Sequence, residues 1–333
     1  MGERILELVS IIIPVRNGSR WIARTIASVR AQTYQRIELI VVDDGSTDGT
    51  PAIVEAIAAE DERIRLFRRS YVGIAESRNF GLLQAHGSLI APLDADDLWH
   101  PEKLARQVAT MQAGSPKVGL VYCWSVEIDE HDFIIPPIRN GSTAKGNVVA
   151  ELVANVGIMA CGSIPLIRRS YLEAVGGYDP NPLCMEELWK LSFDLSQICE
   201  FAVVPNYLVG YRRVTGSMSK KVALMSRSLE YVSGWILERW PDMPQDVKQQ
   251  MNYQRNNYLA HQSLSNNDVI KALRYKMMAC KAAPKASVEF KNVLFLLRVV
   301  ARAFGMPRSA WPVRRAPLQF KDLPNPSETT AKL

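Results

Sequence analysis

Three carboxylates within four positions could hold a cation in this 333-residue sequence. The apolar run Leu89–Leu93 leads directly into Asp94-Ala95-Asp96-Asp97. A short apolar run before a polar cluster is typical of a buried strand that ends at the edge of a sheet. Carboxylates this close repel one another, and a hard divalent cation such as Mg²⁺ or Mn²⁺ would relieve the repulsion. The alternative is a solvated acidic turn that caps a helix beginning near residue 101.

The elements that must position these carboxylates alternate between strand and helix. Apolar runs predict strands over residues 10–15, 37–42, 63–67 and 88–93, with helices over about 20–32, 51–59 and 73–85. This alternation predicts a parallel sheet, in which ligands bind outside the carboxyl ends of the strands. Three loops should therefore converge at one edge, and the convergence favours the metal site over the solvated turn. The three converging loops are residues 14–17, 43–48 and 94–97.

The second half of the sequence has a different pattern. Strands are predicted over 118–128, 165–168 and 201–212, with a helix over 186–198. Beyond residue 217 the apolar spacing predicts helices over 222–240, 244–266, 269–282 and 288–304. The Pro-rich end, residues 306–333, is expected to be loose.

Several ordered motifs resemble those of the family 2 glycosyltransferases with the GT-A fold, over about residues 8–220. The resemblance implies an α/β fold, a Rossmann-like nucleotide-diphospho-sugar transferase with a mostly parallel sheet flanked by helices. It implies a GT-A domain over 1–220, a C-terminal helical extension over 221–305 and a Pro-rich tail over 306–333. The matching segments are Ser10–Asn17 (opening strand and nucleotide loop), Val41–Asp48 (VDDGSTD), Gly73–Asn79 (G-x-x-x-x-R-N), Asp94–Asp96 (DxD), Gly176–Asp179 and Phe201–Arg213.

The same resemblance implies an inverting sugar transfer from a nucleotide-diphosphate donor, a UDP-sugar, in cell-surface polysaccharide or glycolipid synthesis. The acceptor would be a saccharide or a lipid-linked saccharide. Asp96, together with Asp94, would hold Mn²⁺ or Mg²⁺ on the diphosphate, and Asp44 would accept a hydrogen bond from the base ring. The nucleotide-sugar-binding residues carried over from the family are Pro14, Val15, Arg16, Asn17, Asp44, Arg78, Asp94 and Ala95.

The expected catalytic base departs from the family pattern. The family usually has Glu-Asp-Trp at this helix start, with the Asp as base, whereas counting back from Phe201 gives Glu187-Leu188-Trp189. Leu188 accepts no proton, so Glu187 and Glu186 become the candidate catalytic residues. Alternatively, both are ordinary acidic residues near a helix N-terminus. The rival function is a catalytically impaired nucleotide-sugar-binding partner protein.

The charge of the chain is unevenly distributed. Its net charge is +6, yet residues 268–333 carry thirteen Lys and Arg against four Asp and Glu, leaving −3 for the rest. A basic tail predicts an anionic membrane surface as partner, through an interfacial helix over 288–304. Alternatively, that helix packs its apolar side on the catalytic domain. Nucleic acid is not expected, because the tail lacks any recognisable nucleic-acid module.

Cysteine usage and the N-terminal sequence bear on location. Five cysteines, an odd number without CxxC spacing, predict reduced thiols in place of a disulfide framework. No signal peptide is visible at the start of the sequence. We therefore expect a cytoplasmic protein, peripheral on the inner face of the membrane if the tail binds lipid.

Overall fold

An eight-stranded mixed sheet forms the centre of the molecule. The computed structural model describes residues 7–136, 138, 141–154, 158, 161–181, 183–184, 187–214, 221–284, 295–296, 299–300, 317–320 and 323. The strands are β1 (Val9–Val15), β2 (Ile37–Asp44), β3 (Ile64–Arg69), β4 (Leu89–Pro92), β5 (Leu98–Trp99), β6 (Val118–Ile128), β7 (Leu166–Arg168) and β8 (Glu200–Arg212). Their order across the sheet is β3-β2-β1-β4-β7-β6-β8-β5.

Helices flank the sheet and continue beyond it towards the C-terminus. They are α1 (Ile22–Arg30), α2 (Thr50–Ala58), α3 (Ile74–Gln84), α4 (Lys103–Ala113), α5 (Val149–Ala154), α6 (Arg169–Ala174), α7 (Glu187–Ser196), α8 (Val222–Arg239), α9 (Gln245–Ser265) and α10 (Val269–Ala282). The predicted α/β fold with a helical C-terminal region is confirmed.

The first four strands form the parallel half of the sheet. β1 pairs in parallel with β2 and β4, and β2 pairs in parallel with β3. β1 and β2 are buried along their whole length, and most of their residues are apolar, as is typical of strands covered on both faces. α3 packs closely on β1, since a Cβ added at Gly81 would lie 2.5 Å from Cγ2 of Ile12. The carboxyl ends of β1, β2 and β4 therefore meet at one edge.

The other half of the sheet contains both antiparallel and parallel pairs, while most of the paired residues in the whole sheet are parallel, as predicted. β7 is antiparallel to both β4 and β6, and β5 is antiparallel to β8. β8 pairs in parallel with β6, with register shifts near Cys123 and Trp124. The short β7 lies between β4 and β6 and is antiparallel to both.

The C-terminal helices α8 and α9 belong to the main core. Met225, Leu229, Val232 and Ile236 of α8 are buried in the same apolar cluster as the sheet. α10 packs on α9 through a smaller cluster that includes Ala260, Leu264 and Ala272. Within the part of the chain that the structure describes, no helix is long and apolar enough to cross a bilayer.

Most of the predicted helix over 288–304 lies outside the described residues. Phe295 and Val299 are buried in the cluster that joins α9 and α10. Leu296 and Val300 are exposed. The described part of this segment therefore packs partly on α9 and α10, and neither the interfacial helix nor packing on the catalytic domain is tested by it.

A described part of the Pro-rich end packs on the sheet, where a loose segment was expected. The backbone N–H of Leu318 donates to the carbonyl of Asp132 at 2.7 Å. Leu318 and Leu323 also contact the apolar cluster around Trp124 and Tyr207. These residues of the predicted loose tail therefore contact the folded part of the protein.

Candidate active site

The loops that follow β1 and β2 are hydrogen-bonded to each other at the carboxyl edge of the sheet. Asn17 has a positive φ of 52°. Its side-chain Oδ1 accepts from the N–H of Thr47 at 2.8 Å, and its own N–H donates to Oγ of Ser46 at 2.9 Å. Asn tolerates this backbone conformation better than most residues. The predicted nucleotide loop is therefore held by the polar residues of the second loop.

The other predicted nucleotide-sugar-binding residues, Pro14, Val15, Arg16 and Ala95, differ in burial and in contacts. Pro14 and Val15 end β1 and are buried, as the resemblance to a nucleotide loop allows. The guanidinium of Arg16 is exposed and lies 4.0 Å from the ring centroid of Tyr71. The carbonyl of Ala95 accepts a hydrogen bond from Oγ1 of Thr25 at 2.9 Å.

The carboxylate of Asp44 fixes a third loop. Its two oxygens accept the backbone N–H groups of Val72 at 2.8 Å and Gly73 at 2.9 Å. Each carboxylate oxygen has two lone pairs, so both retain capacity for a further donor. The structure thus gives Asp44 a structural role that the sequence did not predict, at the place where the base ring was expected.

A fully buried arginine lies beneath the acidic loop. Nη2 of Arg78 is 2.6 Å from Oδ1 of Asp94, and Nη1 donates to Oε1 of Glu187. Burial alone would lower the pKa of Arg78, but the two carboxylates raise it, so the guanidinium stays charged. Arg78 joins the end of β4 to the start of α7, which residue spacing alone did not show.

Glu187 is the site carboxylate on α7. Burial raises the pKa of its carboxyl above the usual value, against the opposing effect of Arg78. Leu188, by contrast, is half-buried and packs against the main core. The other candidate, Glu186, lies outside the described residues. The structure therefore brings Glu187 into contact with the predicted donor-site residue Arg78.

Helix α8 braces α7 in this position. Nζ of Lys190 on α7 lies 3.0 Å from Oδ2 of Asp194 and 3.6 Å from the ring centroid of Trp235. Nε1 of Trp235 donates to Oδ1 of Asp194 at 2.9 Å. The C-terminal extension therefore contributes directly to the support of Glu187.

Two of the clustered carboxylates, Asp96 and Asp97, are buried to different extents. Burial raises the pKa of Asp96 to about 6, and the charge of Asp94 acts in the same direction. Asp97 is completely buried, and its pKa is raised well above the usual range, chiefly by burial. Its carboxylate accepts from Oγ of Ser163 at 2.6 Å and from the N–H of Arg212 at 2.8 Å. Asp97 thus fixes the loop from inside, which excludes the solvated turn for this residue.

Three residues missed by sequence reasoning complete the loop. Nε of Arg212 donates to the carbonyl of Asp96 at 2.7 Å. Ser163 Oγ accepts from the N–H of Asp94 at 3.0 Å. A Cβ added at Gly162 would lie 2.9 Å from both Arg78 Nη2 and Asp94 Oδ2, so only glycine fits there without a shift. In the sequence, Arg212 lies in the family-like segment Phe201–Arg213, which could have drawn attention to it. No motif marked Gly162 or Ser163.

The residues present suit a hard cation that shares its coordination with a ligand. Asp94 and Asp96 are oxygen donors whose mutual repulsion already perturbs the pKa of Asp96. Among the described residues, no group of three or more His, Cys, Asp or Glu is arranged to hold a metal. Two carboxylates leave coordination positions for phosphate oxygens and water, which Mg²⁺ typically retains.

Comparison with known proteins defines the class to which this fold and site belong. The model of the glycosyl transferase family 2 matches residues 10–176, about half of the chain. The chain therefore belongs to the glycosyl transferase family 2.

Individual relatives match parts of the chain. An uncharacterized glycosyltransferase of Rickettsia felis is 41% identical over 114 residues, covering 34% of this chain and 19% of the relative. The chain thus spans about a fifth of that protein. The UDP-Glc:alpha-D-GlcNAc-diphosphoundecaprenol beta-1,3-glucosyltransferase of Escherichia coli is 39% identical over 148 residues, covering 42% of this chain and 57% of that relative.

A solved structure supports the fold. The mannosyltransferase of Pyrobaculum calidifontis in complex with GDP-Man and Mn²⁺ has a TM-score of 0.56 and 18% identity. The match covers 91% of this chain and 88% of the other. At this identity the likeness shows the shared GT-A architecture.

Proposed function

We propose that this protein is a metal-dependent, inverting glycosyltransferase that uses a UDP-sugar and a saccharide or lipid-linked acceptor in cell-surface polysaccharide or glycolipid synthesis. The observation that carries the proposal is the cluster of Asp94, Asp96, Arg78 and Glu187 at the carboxyl edge of the parallel strands. Ligands bind at this edge in open α/β sheets.

Asp96 and Asp94 would hold Mn²⁺ or Mg²⁺ in the proposed reaction. The bound ion would neutralise charge on the departing nucleoside diphosphate, which a transferase must stabilise. Arg78 positions Asp94 for this role through its 2.6 Å contact. Mn²⁺ is present with GDP-Man in the Pyrobaculum calidifontis structure, and this supports the metal assignment.

The loops after β1 and β2 would bind the nucleoside. Asn17 holds the conformation of the first loop, and Asp44 retains lone pairs for a donor on the base ring. UDP is the proposed nucleotide because the Escherichia coli relative is named for UDP-Glc. That relative is also named for a diphosphoundecaprenol-linked acceptor, which supports a lipid-linked saccharide as acceptor here.

Glu187 is the proposed proton acceptor for the attacking hydroxyl. Its raised pKa moves the carboxyl towards the range in which a general base works well near neutral pH. The rival function is a nucleotide-sugar-binding partner without transfer activity. The contact between Glu187 and Arg78 favours this rival, because the guanidinium occupies one carboxylate oxygen.

A donor-hydrolysis assay tests the proposal and separates it from its rival. The intact protein would be incubated with UDP-Glc, UDP-GlcNAc or GDP-Man, with Mn²⁺ or with EDTA, while calorimetry follows binding. The transferase predicts binding and slow hydrolysis of one UDP-sugar, both dependent on the metal. Binding without hydrolysis or transfer would favour the rival, and absence of metal-dependent binding would refute both.

The proposed location is the cytoplasmic face of a membrane. All five cysteines are free and four are buried, which fits a reducing compartment. The basic C-terminal region would contact anionic lipid, as its charge predicts.

A further inference from the structure

The outward face of α10 combines exposed apolar side chains with positive charge. Ile270 and Met277 are 81% and 72% exposed, and Met278 is also exposed. Arg274 and Lys281 are exposed on the same face, since positions 270, 274, 277, 278 and 281 follow helical spacing. Large apolar side chains clustered in this way on a surface usually mark an interaction site.

The inward face of α10 holds the helix firmly on the protein. Ala272 and Ala279 are fully buried, and Ala272 belongs to the apolar cluster shared with α9. Nζ of Lys276 donates to Oδ1 of Asn257 and lies 4.8 Å from the ring centroid of Phe295. The side chain of Asp268 caps the helix by accepting from the N–H of Lys271 at 3.1 Å. The outward residues are therefore presented on an anchored helix.

A shallow groove of about 530 Å³ runs along this face. The described residues that line it are four with apolar side chains and two cations: Ile270, Leu273, Met277, Met278, Arg274 and Lys281. Methionine side chains are flexible and adapt to irregular apolar surroundings. This lining suits a soft apolar phase better than a rigid polar ligand.

The charge on α10 has a single sign. Its sequence contains four Lys and Arg and no Asp or Glu. Lys271 pairs with Asp268 at 2.7 Å, whereas Arg274 and Lys281 have no ion pair with any described residue. Unpaired cations around an apolar centre are complementary to an anionic interface.

We propose that the outward face of α10 docks the protein on the surface of an anionic phospholipid bilayer. Ile270, Met277 and Met278 would enter the headgroup region, while Arg274 and Lys281 would contact lipid phosphates. The inference rests on the proposed function only in that an enzyme acting on a lipid-linked acceptor works at a bilayer. It assigns the contact to α10, whereas the sequence alone pointed to residues 288–304.

Vesicle sedimentation of the full chain tests the docking face. The protein should bind phosphatidylglycerol/phosphatidylcholine vesicles and leave pure phosphatidylcholine vesicles largely unbound at low salt. Arg274→Gln/Lys281→Gln should weaken binding by roughly 30-fold at low salt, at about 1 kcal/mol for each charge near the surface. Ile270→Ser/Met277→Ser should weaken binding at both low and high salt, because burial of apolar area is not screened.

Matched variants elsewhere on the surface control for loss of charge and of apolar area. Arg36→Gln/Lys117→Gln removes two exposed cations, and Leu83→Ser removes an apolar side chain that is 77% exposed on α3. Both controls should bind vesicles like the parent. Equal losses in the controls and the α10 variants would overturn the proposal.

Two further outcomes would also overturn it. One is absence of binding to anionic vesicles at low salt, and the other is a dimer dissociated by Ile270→Ser/Met277→Ser in a protein that ignores vesicles. Calorimetry of UDP with Mn²⁺ on the same variants distinguishes this failure from failure of the proposed function. The α10 variants should bind UDP as the parent does.

Discussion

Asp94 and Glu187 contact the same guanidinium, but they come from two differently built regions. Asp94 follows β4 in the parallel half of the sheet, where each strand ends at the same edge. Glu187 begins α7, which is held by Trp235 of α8. The first region supplies the proposed donor site, and the second supplies the proposed base for the acceptor hydroxyl. Variants in the first region should therefore change donor binding, and variants in the second region should change sugar transfer.

The largest effect is expected where the two regions meet. Arg78→Met would leave the carboxylates of Asp94 and Glu187 without their buried cation, and breaking a buried pair costs about 3–5 kcal/mol. We expect that loss in the free energy of unfolding, measured by urea denaturation. Arg78→Lys keeps the charge and should lose less. Equal stability of parent and Arg78→Met would contradict the joint role of this residue.

Glu187→Gln tests the second region alone. The amide oxygen still accepts from Arg78, but it no longer takes a proton, so transfer should fall by roughly 10²–10⁴-fold. Donor affinity, measured by calorimetry of a UDP-sugar with Mn²⁺, should stay close to that of the parent. Leu188→Asp is the companion variant and should gain little, because Leu188 packs against the core. A large gain there, with no loss in Glu187→Gln, would reassign the base.

Asp96→Asn tests the first region alone. Loss of the charged oxygen should weaken Mn²⁺-dependent UDP binding by about tenfold or more, since a bound metal contributes several kcal/mol of charge stabilisation. The free energy of unfolding should not fall, because the substitution removes a repulsion with Asp94. Asp242→Asn, at an exposed position outside the site, is the control. Unchanged metal dependence in Asp96→Asn would refute the metal assignment.

The smallest effect is expected at Asp48, within the second loop of the parallel half. Hydrogen bonds from Thr50 and Ser19 outweigh burial and lower the pKa of Asp48 to about 2. A depressed carboxyl pKa stabilises the fold above the unfolded value of 3.8 and loses this contribution as pH falls towards 2. Asp48→Asn should therefore be slightly less stable than the parent at neutral pH. Urea denaturation should show the difference shrinking between pH 4 and pH 2; a difference independent of pH would contradict it.

The parallel half could be predicted from the sequence because its signals are local. The apolar runs of β1, β2 and β4 specify buried strands, and the residues that follow them fall at the carboxyl edge of the sheet. Asp94, Asp96 and Asn17 were therefore found from their positions alone, although their assigned ligands remain proposals. The predicted bounds of β6 and α10 also agree with the structure.

The supporting residues could not be predicted because their contacts depend on tertiary structure. Ser163 and Gly162 belong to an unremarkable stretch, and only the packing of β7 beside β4 brings them to Asp94. Arg212 was visible as part of a family-like segment, but its role depends on the carbonyl of Asp96. Likewise, no pattern in α10 showed which face would be covered by α9.

The long-range contacts of the acidic loop have a consequence for the order of folding. Arg78 and Glu187 are 109 positions apart in the chain, and Asp97 and Arg212 are 115 apart. Closing such large loops is entropically costly, so contacts of this kind form slowly compared with local ones. During synthesis the parallel strands emerge first. The acidic loop can make its long-range contacts only after Glu187 and Arg212 have also emerged. We therefore expect the proposed catalytic centre to become ordered only after residues 187 and 212 have both been synthesised.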